Sequence, residues 1–330
     1  MMKEKWNIRK TAGLLAAALA AVAIAVVPGY ATGQNGEGET GSLSLTVGEE
    51  SSFREDLVSA RWDVAVYRIA SYASLGNCVA EEGFEDVTEA INASESLTAE
   101  ETQELAYEAA RIVGWQEDGQ MESLEEPDAW VEMTDCQGLA EDLSTGIWLV
   151  ISGNALTENY EYSFQPSLLT IPRQQESGEW SNDVTAILKP EQNPRYGSLR
   201  ITKSLDSYNE SLGKVTFVFQ IEGVNENGET VYSNVTATTH EGPGTEEALV
   251  EQIPAGLTVT VTEVYSGASY RLTSEASRTG VITADEELGM EFTNTYDDEL
   301  VPGYGAVNQF EYDEDNGWQW SRLESGGASE

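Results

Sequence analysis

Residues 197–205, GSLRITKSL, alternate between apolar and polar side chains, and this pattern constrains the fold more than any other feature of the chain. In a β-strand every second residue points to the same side, so Leu199, Ile201 and Lys203 share one face. The two apolar members indicate that this face is buried. Because lysine is almost never buried without a partner, Lys203 predicts a core that holds a group able to pair or react with it.

The same alternation recurs in segments separated by clusters of glycine, proline and asparagine, which is typical of an all-β protein. We predict strands at 42–47, 62–73, 146–153, 160–172, 182–190, 197–205, 213–223, 230–240, 256–267, 269–277 and 288–296. Two helices are expected at 84–95 and 97–115, the second beginning with a Thr98–Glu101 capping box and ending at Gly114. The sequence therefore predicts a mainly β fold of two immunoglobulin-like β-sandwich domains, the first with a two-helix insertion.

The N-terminal segment predicts export. Four basic residues precede an almost wholly apolar run, residues 11–27, that is short for a membrane span, and small residues follow it. This arrangement is typical of a secretory signal peptide, so we expect removal of residues 1–31 and no membrane span afterwards. The chain has a formal net charge of −41, and loss of a segment of charge +3 leaves −44. Such a charge argues against binding to nucleic acid or anionic membranes.

Changes in composition divide the rest of the chain. The Pro- and Gly-containing stretch 191–197 is the best boundary between domains. We predict, in order, a flexible leader at 32–40, a β-sandwich with a helical insert at 41–190, a second β-sandwich at 197–298 and a hairpin-like tail at 299–330.

Cysteine and histidine are scarce. Cys78 and Cys136 are the two cysteines, and His240, expected in a loop, is the one histidine. Because thiols of exported proteins tend to be oxidised, we expect a Cys78–Cys136 disulfide, with free buried thiols as the alternative. One histidine leaves neither a plausible metal site nor a Ser-His-Asp set, so we expect no cofactor and no turnover enzyme.

Two further predicted strands end an apolar face with a polar residue. The two faces read Leu257, Val259, Val261, Glu263 and Tyr265 in one strand, and Met290, Phe292, Asn294 and Tyr296 in the other. Burying a lysine, a glutamate and an asparagine separately would be costly. Burying them together suggests chemistry among Lys203, Glu263 and Asn294.

That chemistry is the formation of an isopeptide bond. An apolar site lowers the pKa of a lysine and raises the pKa of a glutamate, which leaves a neutral amine and a protonated acid. The Lys203 amine can then attack the side-chain carbonyl carbon of Asn294 while Glu263 moves protons and ammonia leaves. The alternatives are a buried Lys203–Glu263 salt bridge with Asn294 hydrogen-bonded beside it, or a frayed strand end in water. Asn308 is a second candidate partner if the tail supplies the closing strand.

The motifs GSLRITK, TVTVTE and FTNTY, in this order, resemble the collagen-adhesin B-type (Cna-B-like) domain of Gram-positive surface proteins. The resemblance covers residues 197–298. It implies an autocatalytic Lys203–Asn294 isopeptide bond that Glu263 promotes.

The first domain shows a related but incomplete pattern. Its segments GSLSLTV and TGIWLVISG match the second domain, but Val47 and Gly153 stand at the lysine and glutamate positions. We therefore expect no isopeptide bond there, and a disulfide in its place. With its two helices, the segment 41–190 resembles the N-terminal domain of sortase-assembled backbone pilins. In those pilins a lysine near the end of this domain accepts the next subunit, which makes Lys189 a candidate sortase acceptor, with an ordinary exposed lysine as the alternative.

Together these features predict an exported structural or adhesive surface protein, a pilin-like subunit or stalk. The resemblance implies other pilin or surface subunits and a sortase as partners, and a host or glycan ligand is a further candidate. The alternative is a secreted ligand- or glycan-binding adhesin module that does not assemble into a pilus. Residues 299–330 contain no recognisable sorting signal, so we expect a secreted or surface location without that anchor.

Overall fold

The computed structural model describes residues 40–73, 77–94, 96–116, 121–175, 177–267, 269–297, 307–313 and 317–323. The predicted signal peptide and the leader up to residue 39 lie outside the described residues. The chain divides into two compact units, one comprising residues up to 157 with 161–193, the other comprising 158–160 and the chain from 194. Within the described ranges, no helix is long and apolar enough to cross a bilayer.

The first unit combines β-sheets with three described helices. Its strands are β1 (Thr40–Val47), β2 (Trp62–Tyr72), β3 (Cys78–Ala80), β4 (Ala129–Met133), β5 (Gln137–Ser144), β6 (Gly146–Ser152), β7 (Ala155–Leu156), β8 (Tyr160–Phe164), β9 (Ser167–Ile171), β10 (Arg173–Gln174), β11 (Trp180–Ser181), β12 (Asp183–Leu188) and β13 (Pro190–Pro194). Its helices are α1 (Arg54–Leu57), α2 (Glu85–Ala93) and α3 (Ala99–Ile112). The capping box predicted at Thr98 and Glu101 is confirmed at the start of α3.

The central sheet of this unit, in the order β3-β2-β6-β9 with β4 also on β2, is covered on both faces. In β2, Val64 and Val66 belong to a core shared with the sheet β12-β1-β5. Their neighbours Ala65 and Tyr67 belong to a second core under α2 and α3. Since both faces are buried, β6 reads as the continuous apolar run GIWLVIS instead of alternating.

The second unit is a β-sandwich. Its strands are β14 (Tyr196–Leu205), β15 (Val215–Val224), β16 (Thr230–His240), β17 (Gly244–Pro254), β18 (Thr258–Tyr265), β19 (Tyr270–Leu272), β20 (Ser277–Val281) and β21 (Glu287–Tyr296). One sheet has the order β17-β14-β21-β19 and the other has the order β16-β15-β18-β20. Inward-facing side chains from both sheets form one core. A separate antiparallel hairpin, β22 (Val307–Asp313) with β23 (Gly317–Leu323), agrees with the two strands predicted in the tail.

The two units share a pairing scheme that explains the repeated Gly-Ser-Leu at the start of each. In both, the first strand pairs in parallel with a strand from the end of the unit's sequence, β1 with β12 and β14 with β21. At Gly41 an added Cβ would lie 2.1 Å from the Asn182 carbonyl oxygen, and at Gly197 it would lie 2.2 Å from the Thr283 carbonyl oxygen. Glycine is therefore required where each first strand passes close to the backbone that precedes its parallel partner.

The predicted mainly β fold is confirmed, but individual strands differ from the prediction. Strands β4, β5 and β17 lie in segments where we predicted none. In β5 and β17 the apolar alternation is interrupted by a residue of positive φ, Asp142 (φ 59°) and Gln252 (φ 57°). The pairing register shifts at both places, as expected for a β-bulge that adds one residue to a strand. The strand predicted at 160–172 is divided into β8 and β9. The one predicted at 269–277 is reduced to β19, and β20 begins at its last residue, Ser277, and continues to Val281.

Candidate functional site

Lys203 lies in the interior of the second unit. It follows Leu199 and Ile201 on the inward face of β14, and its exposed fraction is 0%. Its Nζ lies 4.5 Å from the centroid of the Phe217 ring, which β15 contributes from the facing sheet. The lysine that the alternation predicted on a buried strand face is thus shielded from solvent.

Glu263 and Asn294 meet Lys203 in the same place. Asn294 lies on β21, the parallel neighbour of β14, and Glu263 lies on β18 in the opposite sheet. Both side chains have an exposed fraction of 0%. The three residues therefore come from the first, the last and a facing strand of the sandwich, and they form one buried cluster.

Hydrogen bonds close this cluster into a triangle. Lys203 Nζ donates to Glu263 Oε2 at 2.9 Å and also donates to Asn294 Oδ1. Asn294 Nδ2 donates to Glu263 Oε1 at 2.7 Å. One carboxyl group therefore contacts both the lysine nitrogen and the amide nitrogen of the asparagine.

Burial and charge act on Lys203 in opposite directions. Loss of solvation lowers the pKa of Lys203, and this is the largest influence, while the nearby Glu263 and Asp206 raise it. Burial penalises the ammonium form, and the net effect is a lowered pKa. The site thus favours the neutral, nucleophilic amine more than water does.

The prediction that Tyr265 shares the buried face of Glu263 is wrong. Tyr265 is 52% exposed. Phe219 on β15 pairs with Glu263, whereas the adjacent Val218 pairs with Tyr265, so the register shifts after Glu263. This irregularity turns the end of β18 outward and leaves Glu263 as its last inward-facing residue.

Asn308, the second candidate partner of Lys203, is a residue of strand β22. Its side chain lies outside the part of the chain that the structure describes. Lys203 instead contacts Asn294. In the first unit, the residue at the lysine position, Val47, has an exposed fraction of 0% and packs in an apolar core.

The expected Cys78–Cys136 disulfide is absent, and both thiols are free and buried. Cys78 belongs to the core under the helices, whereas Cys136 belongs to the core on the other face of the central sheet. A disulfide needs the two Cα atoms within about 7 Å, and a sheet between the two cores prevents that approach. The alternative of free buried thiols therefore describes the structure, and burial raises the pKa of both thiols.

Lys189 is an exposed residue between β12 and β13. Trp180, at the start of the same motif, is 37% exposed, and Val184 is buried in the core of the first unit. The Lys189 side chain is therefore accessible to solvent.

Two residues that the sequence did not place at this site adjoin Lys203. Phe217 covers the Lys203 amine, and His240 packs edge-on against Phe217 with ring centroids 5.4 Å apart. His240 is the last residue of β16 and 1% exposed, so it ends the strand predicted at 230–240 and does not lie in the loop that follows. The inward alternation of Thr238 and His240 in TVYSNVTATTH was the signal that could have located it.

Comparison with known families gives one match within the second unit. Residues 199–297 match the family described as a domain of unknown function, DUF5979. No curated protein matches the sequence.

Several solved structures are similar to the chain. The pilus-presented adhesin Spy0125 is 15% identical with a TM-score of 0.25, and the alignment covers 46% of this chain and 37% of that one. The minor pilin GBS52 of Streptococcus agalactiae is 11% identical with a TM-score of 0.24, covering 80% and 100%. The Bacillus anthracis TIE protein is 15% identical with a TM-score of 0.33, covering 86% and 41%. This chain thus spans well under two thirds of Spy0125 and TIE.

Proposed function

We propose that the second unit crosslinks itself through an isopeptide bond between Lys203 and Asn294, with Glu263 as the proton shuttle. The observation that carries this proposal is the position of one carboxyl group. Glu263 accepts hydrogen bonds from both Lys203 Nζ and Asn294 Nδ2, the nitrogen that would attack and the nitrogen that would leave. A single residue can therefore pass a proton from one to the other.

The reaction balances without any further reagent. Glu263 removes a proton from the Lys203 ammonium, and the freed lone pair of Nζ forms a bond to Cγ of Asn294. The bond between Cγ and Nδ2 breaks, and Nδ2 leaves as ammonia. Of the two protons that Nζ gives up, one leaves on ammonia and one remains on Glu263. The product amide is neutral, so its burial costs less than burial of an ammonium and a carboxylate.

The bond would join the ends of the domain. Lys203 lies in the first strand of the sandwich and Asn294 in the last, and these strands are parallel neighbours. Tension applied to the two ends would pass through the crosslink, and the residues between 203 and 294 would carry none of it. This supports a mechanical role, in a chain that acts once on itself and does not turn over.

We further propose that the protein is an exported, pilin-like surface subunit or adhesive stalk. The predicted signal peptide, the strongly acidic composition and the proposed crosslink support this role. Lys189 is the proposed acceptor for a sortase, since it is exposed between two strands. Other surface subunits are its proposed partners.

Intact mass spectrometry of the mature protein tests the crosslink. The wild type is expected to be one ammonia lighter than its sequence, and Lys203→Ala, Glu263→Ala and Asn294→Ala are expected to have full mass. Lys214→Ala is the matched control, because Lys214 is an exposed lysine of the same unit that pairs with Glu241, and it should keep the mass loss. A wild type of full mass would show that the three residues form only a buried ion pair with a hydrogen-bonded amide.

A further inference from the structure

Thr238 and His240 present two buried polar atoms toward the interior of the second unit. They alternate on the inward face of β16 and are 3% and 1% exposed. Thr238 Oγ1 and His240 Nε2 have no hydrogen-bond partner among the described residues. A buried polar group without a partner is costly, so this pair points to a small molecule with which it forms hydrogen bonds.

Both residues lie beside the Lys203 site. Thr238 pairs with Phe217 in the sheet register, and His240 packs edge-on against the same ring. The face of Phe217 lies over Lys203 Nζ. Phe217 is thus the common neighbour of the polar pair and the reacting amine.

The hydrogen bonding of His240 defines what this pair can bind. Burial lowers the pKa of His240, which favours the neutral ring, and Nε2 has no partner among the described residues. When the proton of the neutral ring is on Nδ1, Nε2 is an acceptor, and Thr238 Oγ1 can accept a second bond. The pair suits a small molecule with several N–H or O–H donors.

We propose that Thr238 and His240 form a binding site for the ammonia that leaves Asn294. This inference rests on the proposed crosslinking reaction, which releases one ammonia inside a site with no exposed side chain. Ammonia can donate one N–H to His240 Nε2 and another to Thr238 Oγ1. Holding ammonia there removes it from the new amide carbonyl and opposes the reverse reaction. Water offers similar hydrogen bonds, so the test separates the two.

The rate of crosslinking tests the site. The mature chain is made by cell-free synthesis, samples are quenched at intervals, and intact mass gives the crosslinked fraction. His240→Phe keeps a ring against Phe217 but removes the acceptor, and Thr238→Val removes the hydroxyl at nearly constant shape. Each is expected to lengthen the half-time roughly three- to tenfold, the worth of one hydrogen bond. His240→Gln restores an acceptor and should recover most of the rate, while Thr239→Val, on the outward face of β16, should leave it unchanged.

The crosslinking rate in added ammonium chloride is compared with the rate in the same concentration of sodium chloride at the same pH, which distinguishes bound ammonia from bound water. Ammonia that binds the site should slow the wild type and leave His240→Phe unaffected. Two outcomes would overturn the inference without affecting the proposed crosslink. In one, His240→Phe and Thr238→Val crosslink with the half-time of the wild type. In the other, ammonium slows the wild type and His240→Phe equally. Slowing that His240→Gln does not relieve would assign His240 a packing role only. A wild type that never loses ammonia would refute the proposed function itself.

Discussion

Replacing Asn294 by alanine removes the carbonyl carbon that the proposed crosslink needs, and its effect on stability can be estimated from the fold. Lys203 and Asn294 are 91 positions apart. Closing a loop of this length removes entropy from the unfolded chain that is worth about 4.6 kcal/mol in the loop-closure treatment used for disulfides. For a unit of this size, that loss lowers the melting temperature by roughly 18–37 °C.

Without a covalent bond, the same substitution would have a smaller effect. Asn294 then contributes two hydrogen bonds within the buried triangle. Leaving a buried partner unsatisfied costs about 1–3 kcal/mol. The two interpretations therefore predict clearly different melting temperatures for the second unit.

Scanning calorimetry of the full mature chain is the appropriate assay, with each sample first weighed by intact mass. Lys214→Ala serves as the control that retains all three site residues, and it should melt like the wild type. Glu263→Gln should match Asn294→Ala in lacking the crosslink while keeping both reacting groups. A loss of no more than about 3 kcal/mol in Asn294→Ala, together with a wild type of full mass, would refute the covalent explanation.

Three further predictions concern other residues. Burial holds the pKa of His240 below its ordinary value, so its contribution to stability is complete above about pH 6.5 and is lost as the pH falls toward the folded-state pKa. Thermal melts should show that the wild type loses more stability than His240→Phe below pH 6.5. An equal loss of stability in the two proteins would contradict this. Gly197→Ala should destabilise the second unit by about 1–3 kcal/mol, because the added Cβ would clash with the backbone carbonyl oxygen of Thr283. Gly289→Ala is the control, since no atom lies within 4 Å of its Cβ, and denaturant melts should show little effect. Thiol titration of the unfolded, unreduced chain should find Cys78 and Cys136 both free, and a reductant-dependent mass would show otherwise.

Much of the second unit follows from local sequence. Alternation in GSLRITKSL and LGMEFTNTY placed Lys203 and Asn294 on inward faces, because side-chain direction along a regular strand depends only on its period of two. The start of α3 was also predictable from local sequence, because the hydrogen bonds of its capping box join residues only three positions apart. Such features need no knowledge of which strands become neighbours.

Irregular strands and cross-sheet relations did not follow. One extra residue at Gln252 reverses the alternation of β17, and a register shift turns Tyr265 outward. The two cysteines were expected to pair because thiols of exported proteins tend to be oxidised. Composition does not reveal that a sheet separates the two cores in which they lie. These outcomes depend on pairing register and on sheet stacking, which single strands do not encode.

Local sequence patterns establish the class of the fold, the acidic character of the chain and the identity of the three polar residues on buried strand faces. The packing of the two sheets places Glu263 in contact with both nitrogens of the proposed reaction, Phe217 over the amine and His240 edge-on against that ring. The physical reason is that a strand's own period fixes which side chains point inward, whereas the distances between inward-pointing groups arise only when two sheets pack face to face.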